Sequence, residues 1–130
     1  MDREAYVCFS DDGGASWDRG DLALATDGDR VAEPQVVELA DGRLMLNTRT
    51  LSKVRKVAIS DDAGATFSPF ADDPGLVEPA CQGSILRCSD PLDGEPSRIL
   101  FSNPASQIER VSGTVRLSLD EGTTWPVART

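Results

Sequence analysis

A short acidic motif occurs three times in this chain and limits what the chain can fold into. Its pattern is Ser-x-Asp-x-Gly-x-(Ser or Thr)-aromatic, and the copies are SDDGGASW from Ser10, SDDAGATF from Ser60 and SLDEGTTW from Ser118. The copies recur about every 50 to 60 residues, which suits one four-stranded β-propeller blade per repeat better than a helical solenoid. The sequence therefore predicts an all-β chain made of consecutive propeller blades.

Each copy has the residue types of a tight turn between two strands. An apolar, alternating run precedes every copy, so the motif is expected to begin where a strand ends. The aspartates can accept backbone N–H groups, the glycines can adopt a positive φ, and the aromatic residues are expected to start the returning strand and pack under the turn. The ligand spacing of a calcium loop is absent, so we predict turn scaffolding and no metal. The structural set is Ser10, Asp12, Gly14, Trp17, Ser60, Asp62, Gly64, Phe67, Ser118, Asp120, Gly122 and Trp125.

Apolar runs and turn residues divide the rest of the chain. Asp41-Gly42 between two apolar runs is a strong hairpin signal. One blade is predicted from strands at 35–39, 44–49, 54–59 and 66–70, a second from 84–88, 99–102, 111–118 and 124–127, and an outer hairpin of a preceding blade from 5–17. The Pro-, Asp- and Gly-rich segments 72–79 and 90–96 are predicted to be loops. The predicted units are residues 1–30, 31–78 and 79–130.

Charge and composition exclude several functions. The formal net charge is −9, which repels phosphate backbones and anionic lipids, so nucleic acid and membrane surfaces are not expected partners. The chain has no histidine, which argues against a serine or cysteine hydrolase, and it has no glycine-rich phosphate loop. No apolar run is long enough to span a membrane, and Met1 to Glu4 does not resemble a secretory leader. We predict no cofactor.

Three cysteines occur, Cys8, Cys81 and Cys88, and they match neither a zinc pattern nor a redox pair. All three lie in apolar runs, so buried free thiols in strands are expected. A disulfide between Cys81 and Cys88 remains open, because the sequence does not show whether the two positions come close.

The length of the chain is shorter than a closed propeller requires. At least four blades must close the circle, which needs roughly 200 residues at this repeat length. The 130 residues therefore predict a part of a propeller. Open sheet edges in such a part favour self-association.

Longer strings between the repeats resemble a known family. The repeated motif is the Asp-box of sialidases (neuraminidases), which are glycosidases built on a six-bladed propeller. The strings EPQVVEL from Glu33, DGRLMLNTR from Asp41, CQGSIL from Cys81 and FSNP from Phe101 are similar to the central and later blades of an exo-α-sialidase of the bacterial or lysosomal type. The resemblance spans essentially the whole chain. It implies about two and a half blades of a six-bladed propeller, a sialylated glycan as substrate, and a secreted or lysosomal location.

The resemblance also implies roles for three charged residues. Glu33 matches the glutamate that acts as base partner of a tyrosine nucleophile, and Arg49 and Arg110 match the second and third arginines of a triad that binds the sialic acid carboxylate. Arginine suits this task because its planar fork pairs with both carboxylate oxygens. A neutral tyrosine is not repelled by the anionic sugar, and retention of configuration is expected.

Several parts of that machinery have no counterpart in the sequence. The nucleophile, the aspartate acid/base and the first triad arginine are missing, and Tyr6, the only tyrosine, precedes an Asp-box where a structural aromatic belongs. We therefore expect the isolated chain to be inactive.

Two alternatives remain open from the sequence. A non-catalytic Asp-box propeller that binds glycans or proteins would keep the turn aspartates but has no reason to keep Glu33, Arg49 and Arg110 together. A piece of a larger gene without a function of its own would aggregate or form oligomers. The sialidase reading requires the three charged side chains to converge on one rim, opposite the Asp-box turns.

Overall fold

The described residues form twelve strands and one short 3-10 helix. The structure is a computed structural model that describes residues 4–89 and 91–130. Met1 to Arg3, and Asp90 at the start of the predicted loop 90–96, lie outside the described residues. The elements are β1 (Glu4–Ala5), β2 (Cys8–Phe9), β3 (Asp18–Arg19), β4 (Ala23–Leu24), β5 (Ala32–Glu38), β6 (Leu44–Arg49), β7 (Val54–Ser60), β8 (Ala71–Val77), β9 (Ser84–Ser89), the 3-10 helix Pro91–Asp93, β10 (Arg98–Pro104), β11 (Gly113–Ser118) and β12 (Val127–Arg129).

The strands pair into antiparallel sheets that follow chain order. β5 to β8 form the first four-stranded sheet and β9 to β12 form the second, each as a meander. The four strands before them form two short pairs, β1 with β4 and β2 with β3. The prediction of an all-β chain is confirmed, and none of these sheets closes on itself.

The turn between β5 and β6 is the hairpin that the sequence predicts. Gly42 has a φ of 85°, in the left-handed region that glycine adopts easily. The Leu39 amide donates to the Arg43 carbonyl over 2.8 Å, which closes the turn. The resulting register places Val37 opposite Met45, so both side chains lie on the same face of the first sheet.

Two apolar cores hold three layers of chain together. Alternate residues of a strand face opposite sides, so β6 contributes Leu46 to one core and Met45 to the other. The first core lies between the segment β1 to β4 and the first sheet, and the second core lies between the two four-stranded sheets. The first core consists of Ala5, Ala23, Ala25, Val31, Leu46, Ala58 and Phe70, and the second of Val37, Leu39, Met45, Leu76, Ile85, Ile99 and Phe101.

The outer strand of each four-stranded sheet lies further along the chain than the sequence predicts. The fourth strand expected at 66–70 is β8 at Ala71–Val77, inside the segment 72–79 that was predicted to be a loop. The prediction is wrong because β8 is an edge strand, where Pro74 can lack an N–H without breaking the ladder. Residues 66–70 instead reach back to the first segment, since the Phe70 amide donates to the Leu24 carbonyl. The strand expected at 124–127 is likewise β12 at Val127–Arg129.

The cysteines only partly match their prediction. All three are free thiols, but Cys8 and Cys88 are exposed, and only Cys81 is buried. Cys88 is exposed because it lies on the outward face of β9 with Ser84 and Leu86, between the half-buried Arg87 and Ser89. Cys81 is buried in the connection between β8 and β9 rather than in a strand.

Each Asp-box folds into the same hydrogen-bonded turn. In the second copy the Gly64 amide donates to Ser60 Oγ over 2.9 Å, while the amide and hydroxyl of Thr66 donate to the two Asp62 oxygens over 2.8 and 2.6 Å. Gly64 has a φ of 93°. The corresponding bonds recur in the copies that begin at Ser10 and Ser118.

The aromatic residues of the three copies differ in their surroundings. Phe67 and Trp125 are partly buried and pack against the first and second core. Trp17 is 65% exposed, but its ring lies against its own turn as predicted. Its Nε1 donates to the Gly14 carbonyl over 3.2 Å, and its Cζ2 lies 3.8 Å from the position of a Cβ on Gly14.

The third Asp-box also ties the two four-stranded sheets together. Trp125 Nε1 donates to Asp73 of β8 over 3.0 Å. Glu121 accepts from the Ala40 amide over 2.7 Å and from the side chains of Arg87 and Ser97. The turn therefore fixes the distance between neighbouring sheets as well as closing its own hairpin.

The Asp-box carboxylates predict an acid sensitivity. Hydrogen bonds from the hydroxyl and amide of Thr66 hold the pKa of Asp62 below 3.8, so its contribution to stability is present above that pH and is lost as the pH falls through the folded-state pKa. We expect the urea midpoint of the chain to fall between about pH 5 and about pH 2, and to fall less in Asp62→Asn. Asp61→Asn is the matched control, and an equal reduction of the slope in both variants would contradict the assignment.

Candidate active site

Glu33 and Arg49 lie at the same end of the first sheet and form an ion pair. Arg49 is the last residue of β6, opposite Ala32 at the start of β5. Arg49 Nη1 lies 2.8 Å from Glu33 Oε1. The second Asp-box follows Ser60 at the far end of β7, where β7 pairs with Leu44. The ion pair and this Asp-box turn are therefore at opposite ends of the sheet.

A bulge in β5 positions Glu33. The register between β5 and β6 shifts between Ala32 and Gln35, and Glu33 has a φ of 49° although it is not glycine. Such a bulge turns a side chain away from the regular alternation of the strand. The Thr48 hydroxyl donates to the Ala32 carbonyl over 2.9 Å and fixes the residue before the bulge. A left-handed backbone conformation costs free energy for a residue other than glycine. Residues in such conformations are common at functional sites.

Arg110 lies in the loop between β10 and β11, at the corresponding end of the second sheet. A bond from the Ala105 amide to the Ser112 carbonyl closes this loop. The side-chain amide of Gln107 donates to the Lys53 carbonyl over 3.4 Å, so the loop lies beside the turn that follows Arg49. Arg110 is exposed and forms no ion pair within residues 4–89 and 91–130.

The charges of this end converge on one buried thiol. Burial, reinforced by the charge of Glu78, raises the pKa of Cys81, while the guanidinium groups of Arg110, Arg55 and Arg49 oppose the rise. The geometry agrees, because the bond from Gln107 to the Lys53 carbonyl places the loop that carries Arg110 beside the turn that follows Arg49.

A buried polar layer supports this rim from beneath. Arg55 and Glu78 are fully buried and form an ion pair with 3.2 Å between Nη1 and Oε2. Arg55 also donates from Nε to Asn47 Oδ1 over 2.8 Å and from Nη1 to the Cys81 carbonyl over 3.0 Å. Its guanidinium lies 5.5 Å from the centre of the Phe101 ring. Both four-stranded sheets therefore contact one buried cation.

Sequence reasoning did not find Arg55, Glu78 or Asn47. The available signal was a pair of charged residues, Arg55 and Lys56, inside a strand read simply as apolar and alternating. Lys56 belongs to a separate cluster, because its Nζ is held by Asp27 at 2.6 Å and Asp72 at 2.5 Å. Two adjacent charges in a strand point to opposite faces, and here both are buried with partners.

The Tyr6 hydroxyl forms no hydrogen bond with another described residue, although Glu4 lines the same cleft. Its ring is half exposed and lies 5.2 Å from the guanidinium carbon of Arg19. The two residues line an open cleft of about 530 Å³, together with Leu22, Val31 and Pro34. No hydrogen bond joins Tyr6 to Glu33 in the structure.

No group of three or more Cys, Asp or Glu side chains is placed to hold a metal ion in residues 4–89 and 91–130. The same ranges contain no helix that could cross a membrane.

The arrangement is suited to binding an anion at the rim. The Arg49 side chain is 21% exposed, so part of its guanidinium faces the solvent, while its buried Nε has no acceptor within the described residues. Glu33 uses only Oε1 in the ion pair, which leaves Oε2 available to accept a proton or a hydrogen bond. Arg110 adds a second cation that is exposed to an incoming group. A carboxylate ligand would satisfy guanidinium donors that the protein itself leaves free.

The fold and the sequence both have known relatives. The model of the BNR repeat-like domain matches residues 2–130. A sialidase of Micromonospora viridifaciens is 39% identical over 131 residues, which cover 97% of this chain and 20% of that protein. Hadza microbial sialidase Hz136 superposes with a TM-score of 0.78 at 32% identity, over 94% of this chain and 24% of that one. A leech intramolecular trans-sialidase superposes with a TM-score of 0.73 at 31% identity, over 86% of this chain and 16% of that one.

The stacked antiparallel sheets, the Asp-box turns and these matches together place the chain in the class of β-propeller proteins. The chain belongs to the BNR repeat-like domain family, and the resemblance to sialidases is confirmed by its relatives in sequence and in structure. The chain spans about a fifth of the length of the Micromonospora relative.

Proposed function

We propose that this chain is part of an exo-α-sialidase and contributes to its sialic acid site. The observation that supports the proposal is the ion pair between Glu33 and Arg49 at one end of the first sheet, with the loop that carries Arg110 beside the turn that follows Arg49. In this assignment Arg49 and Arg110 bind the carboxylate of a terminal sialic acid on a glycan. Glu33 accepts the proton of a tyrosine nucleophile contributed from outside this chain.

The ion pair between Glu33 and Arg49 fits this chemistry. In the unliganded site each group neutralises the other, which limits the cost of holding a strained Glu33 beside a partly buried cation. When the substrate carboxylate binds Arg49, Glu33 is released to act as the base for the tyrosine hydroxyl. Attack by that oxygen on the anomeric carbon, with a proton supplied to the departing glycan oxygen, forms a glycosyl–tyrosine bond with inversion. Water then attacks the same carbon and displaces the tyrosine oxygen with a second inversion, so that the configuration is retained overall.

The proposal places the chain in a six-bladed propeller as about two and a half blades. The segment from β1 to β4 would be the outer part of one blade, and the two four-stranded sheets would be the next two. We further propose a secreted or lysosomal location, which rests on the resemblance alone. The isolated chain should lack activity, because the acid/base and nucleophile are absent and each contributes orders of magnitude.

The direct test supplies the missing blades. The chain is grafted into the Micromonospora viridifaciens sialidase in place of the segment that aligns with it, and the product is assayed with a fluorogenic sialoside beside the parent enzyme and the chain alone. We expect activity from the graft and none from the chain. A graft with a native near-ultraviolet spectrum and no activity would overturn the proposal and would favour the alternative, a non-catalytic glycan- or protein-binding module.

The chain alone is expected to self-associate. The outward face of the second sheet carries an apolar row in which neighbouring strands place Leu86, Leu100, Leu117 and Val127 opposite one another. Leu86 is 62% exposed, and the equivalent row of the first sheet is buried against the second sheet. A continuous apolar face of this kind, together with open edges, favours pairing with another copy.

Light scattering after size-exclusion chromatography measures this association. We expect a mass above the 13.9 kDa of one chain and a shift towards the monomer in Leu86→Lys. Leu92→Lys is the matched control, because Leu92 is also exposed but lies in the 3-10 helix outside the sheet. A wild-type monomer at all concentrations would show that the chain is self-sufficient.

A further inference from the structure

The carboxylate of Glu78 connects the two chain segments that carry the rim. Its Oε1 accepts the Thr50 amide over 2.5 Å, and its Oε2 accepts the Cys81 amide over 3.2 Å. Thr50 follows Arg49 directly, and Cys81 lies in the connection that leads through Gln82 to β9. One side chain therefore holds the backbone of both segments.

Glu78 is itself held in one place. It is fully buried, it pairs with Arg55, and its own amide donates to the Lys53 carbonyl over 3.0 Å. Ala80, between Glu78 and Cys81, has a φ of 59°, so the chain is turned sharply to bring the Cys81 amide back to the carboxylate. The next residues are equally constrained, because a Cβ on Gly83 would lie 2.6 Å from Phe101 Cζ.

The hydrogen bonds that the Glu78 carboxylate accepts from the two backbone amides are of a strong kind. Hydrogen bonds from backbone amides to a charged acceptor are about twice as strong as neutral ones, and the dry surroundings of Glu78 increase their strength. The Thr50 hydroxyl donates to the Val54 carbonyl over 2.5 Å, which closes the same turn from the other side. The backbone next to Arg49 therefore has little freedom, although Arg49 itself is at the surface.

We propose that Glu78 is a positioning residue that sets the orientation of Arg49 and of the segment Cys81 to Gln82 for carboxylate binding. The inference rests on the proposed function for the identity of the ligand, but the positioning itself concerns this chain alone. Glu78 acts through the Thr50 and Cys81 amides and does not touch the ligand. Replacement of Glu78 should lower the affinity of the site for the ligand carboxylate without removing a group that takes part in the reaction.

The test uses Glu78→Asp, which keeps the charge beside Arg55 but is one methylene too short to reach both amides. Glu121→Asp is the matched control, because Glu121 also accepts a backbone amide and pairs with an arginine, outside the site. In the chain alone, we expect Glu78→Asp to speed hydrogen exchange of the Thr50 and Cys81 amides by about tenfold or more and to shift the Arg49 Nε–H resonance. The control should affect Ala40 and leave Arg49 unchanged.

A merely structural role gives a different result. In that case Glu78→Asp lowers the urea midpoint while the Arg49 resonance of the folded variant is unchanged, and the proposal is overturned. If Glu78→Asp does not fold, the charge-neutral pair Glu78→Gln with Arg55→Gln is measured in the same way, and an unchanged Arg49 resonance in that variant overturns the proposal as well.

The grafted sialidase provides the functional readout. There we expect Glu78→Asp to raise KM about tenfold with kcat changed less than about threefold, because the carboxylate is bound in both the ground state and the transition state. A fall in kcat at unchanged KM would contradict a positioning role at the carboxylate. An inactive wild-type graft would reject the proposed function, while the exchange and resonance measurements on the chain would still decide the role of Glu78.

Discussion

Replacing Arg55 with methionine is expected to destabilise the chain by about 3–5 kcal/mol, the largest effect of any single substitution considered. The substitution leaves the Glu78 carboxylate buried without its cation. It also removes the donors that now bind Asn47 Oδ1 and the Cys81 carbonyl. Burial lowers the pKa of Arg55, and the charge of Glu78 opposes that change. A domain of this size has only about 5–15 kcal/mol of stability in total.

Urea unfolding followed by circular dichroism measures this loss. The informative control is the double variant Arg55→Met with Glu78→Met, which removes both charges and should recover a large part of the loss because no unpaired ion remains. A double variant no more stable than Arg55→Met would show that the pair is not the cause. A loss below about 1 kcal/mol in the single variant would mean that Glu78 finds another partner or takes up a proton.

Arg49→Lys is expected to lower kcat/KM of the grafted sialidase by about 10- to 100-fold, although the charge is kept. Lysine lacks the planar fork that pairs with both carboxylate oxygens, and a hydrogen bond to a charged group contributes about 1.5–3 kcal/mol. The Arg49 side chain is 21% exposed, and its Nη1 is paired with Glu33, so the exposed part of the guanidinium can face a ligand carboxylate beside that pair. Lysine would offer a single ammonium group in place of the planar guanidinium. Arg110→Lys should act in the same direction.

Arg43→Lys is the matched control for these variants. Arg43 is an exposed arginine paired with Asp41 in the hairpin turn, at the end of the first sheet opposite Arg49. Its substitution should leave the kinetics of sialoside hydrolysis unchanged. Unchanged kinetics in Arg49→Lys and Arg110→Lys would reject the assignment of these residues to the carboxylate, whatever the activity of the graft.

The sequence predicted the strands whose signals are local and missed those set by neighbours. The hairpin at Asp41-Gly42 follows from a glycine that must adopt a positive φ, and the sequence shows it directly. The outer strand β8 contains Asp72, Asp73 and Pro74, which locally favour a loop. These residues enter a strand because Lys56 and Trp125, distant in the sequence, satisfy the two carboxylates.

The candidate site divides in the same way. Glu33, Arg49 and Arg110 were predicted from strings that resemble sialidases, and their roles remain proposals. Arg55 and Glu78 were missed, because a charged residue in a strand is normally exposed, and its burial depends on a partner 23 positions away. Only the packing of the second sheet over the first explains why these two charges are kept away from water.

The separation of the Asp-box turns from the charged rim has a consequence for protein engineering. The second and third turns close the far ends of β7 and β11, so the loops 50–53 and 105–112 do not take part in closing them. Randomised libraries over exposed positions of these loops, such as Leu51 and Ile108, should therefore change ligand preference while most members still fold. The sheets and the Asp-box turns thus form a scaffold whose loops at the other end can be varied separately.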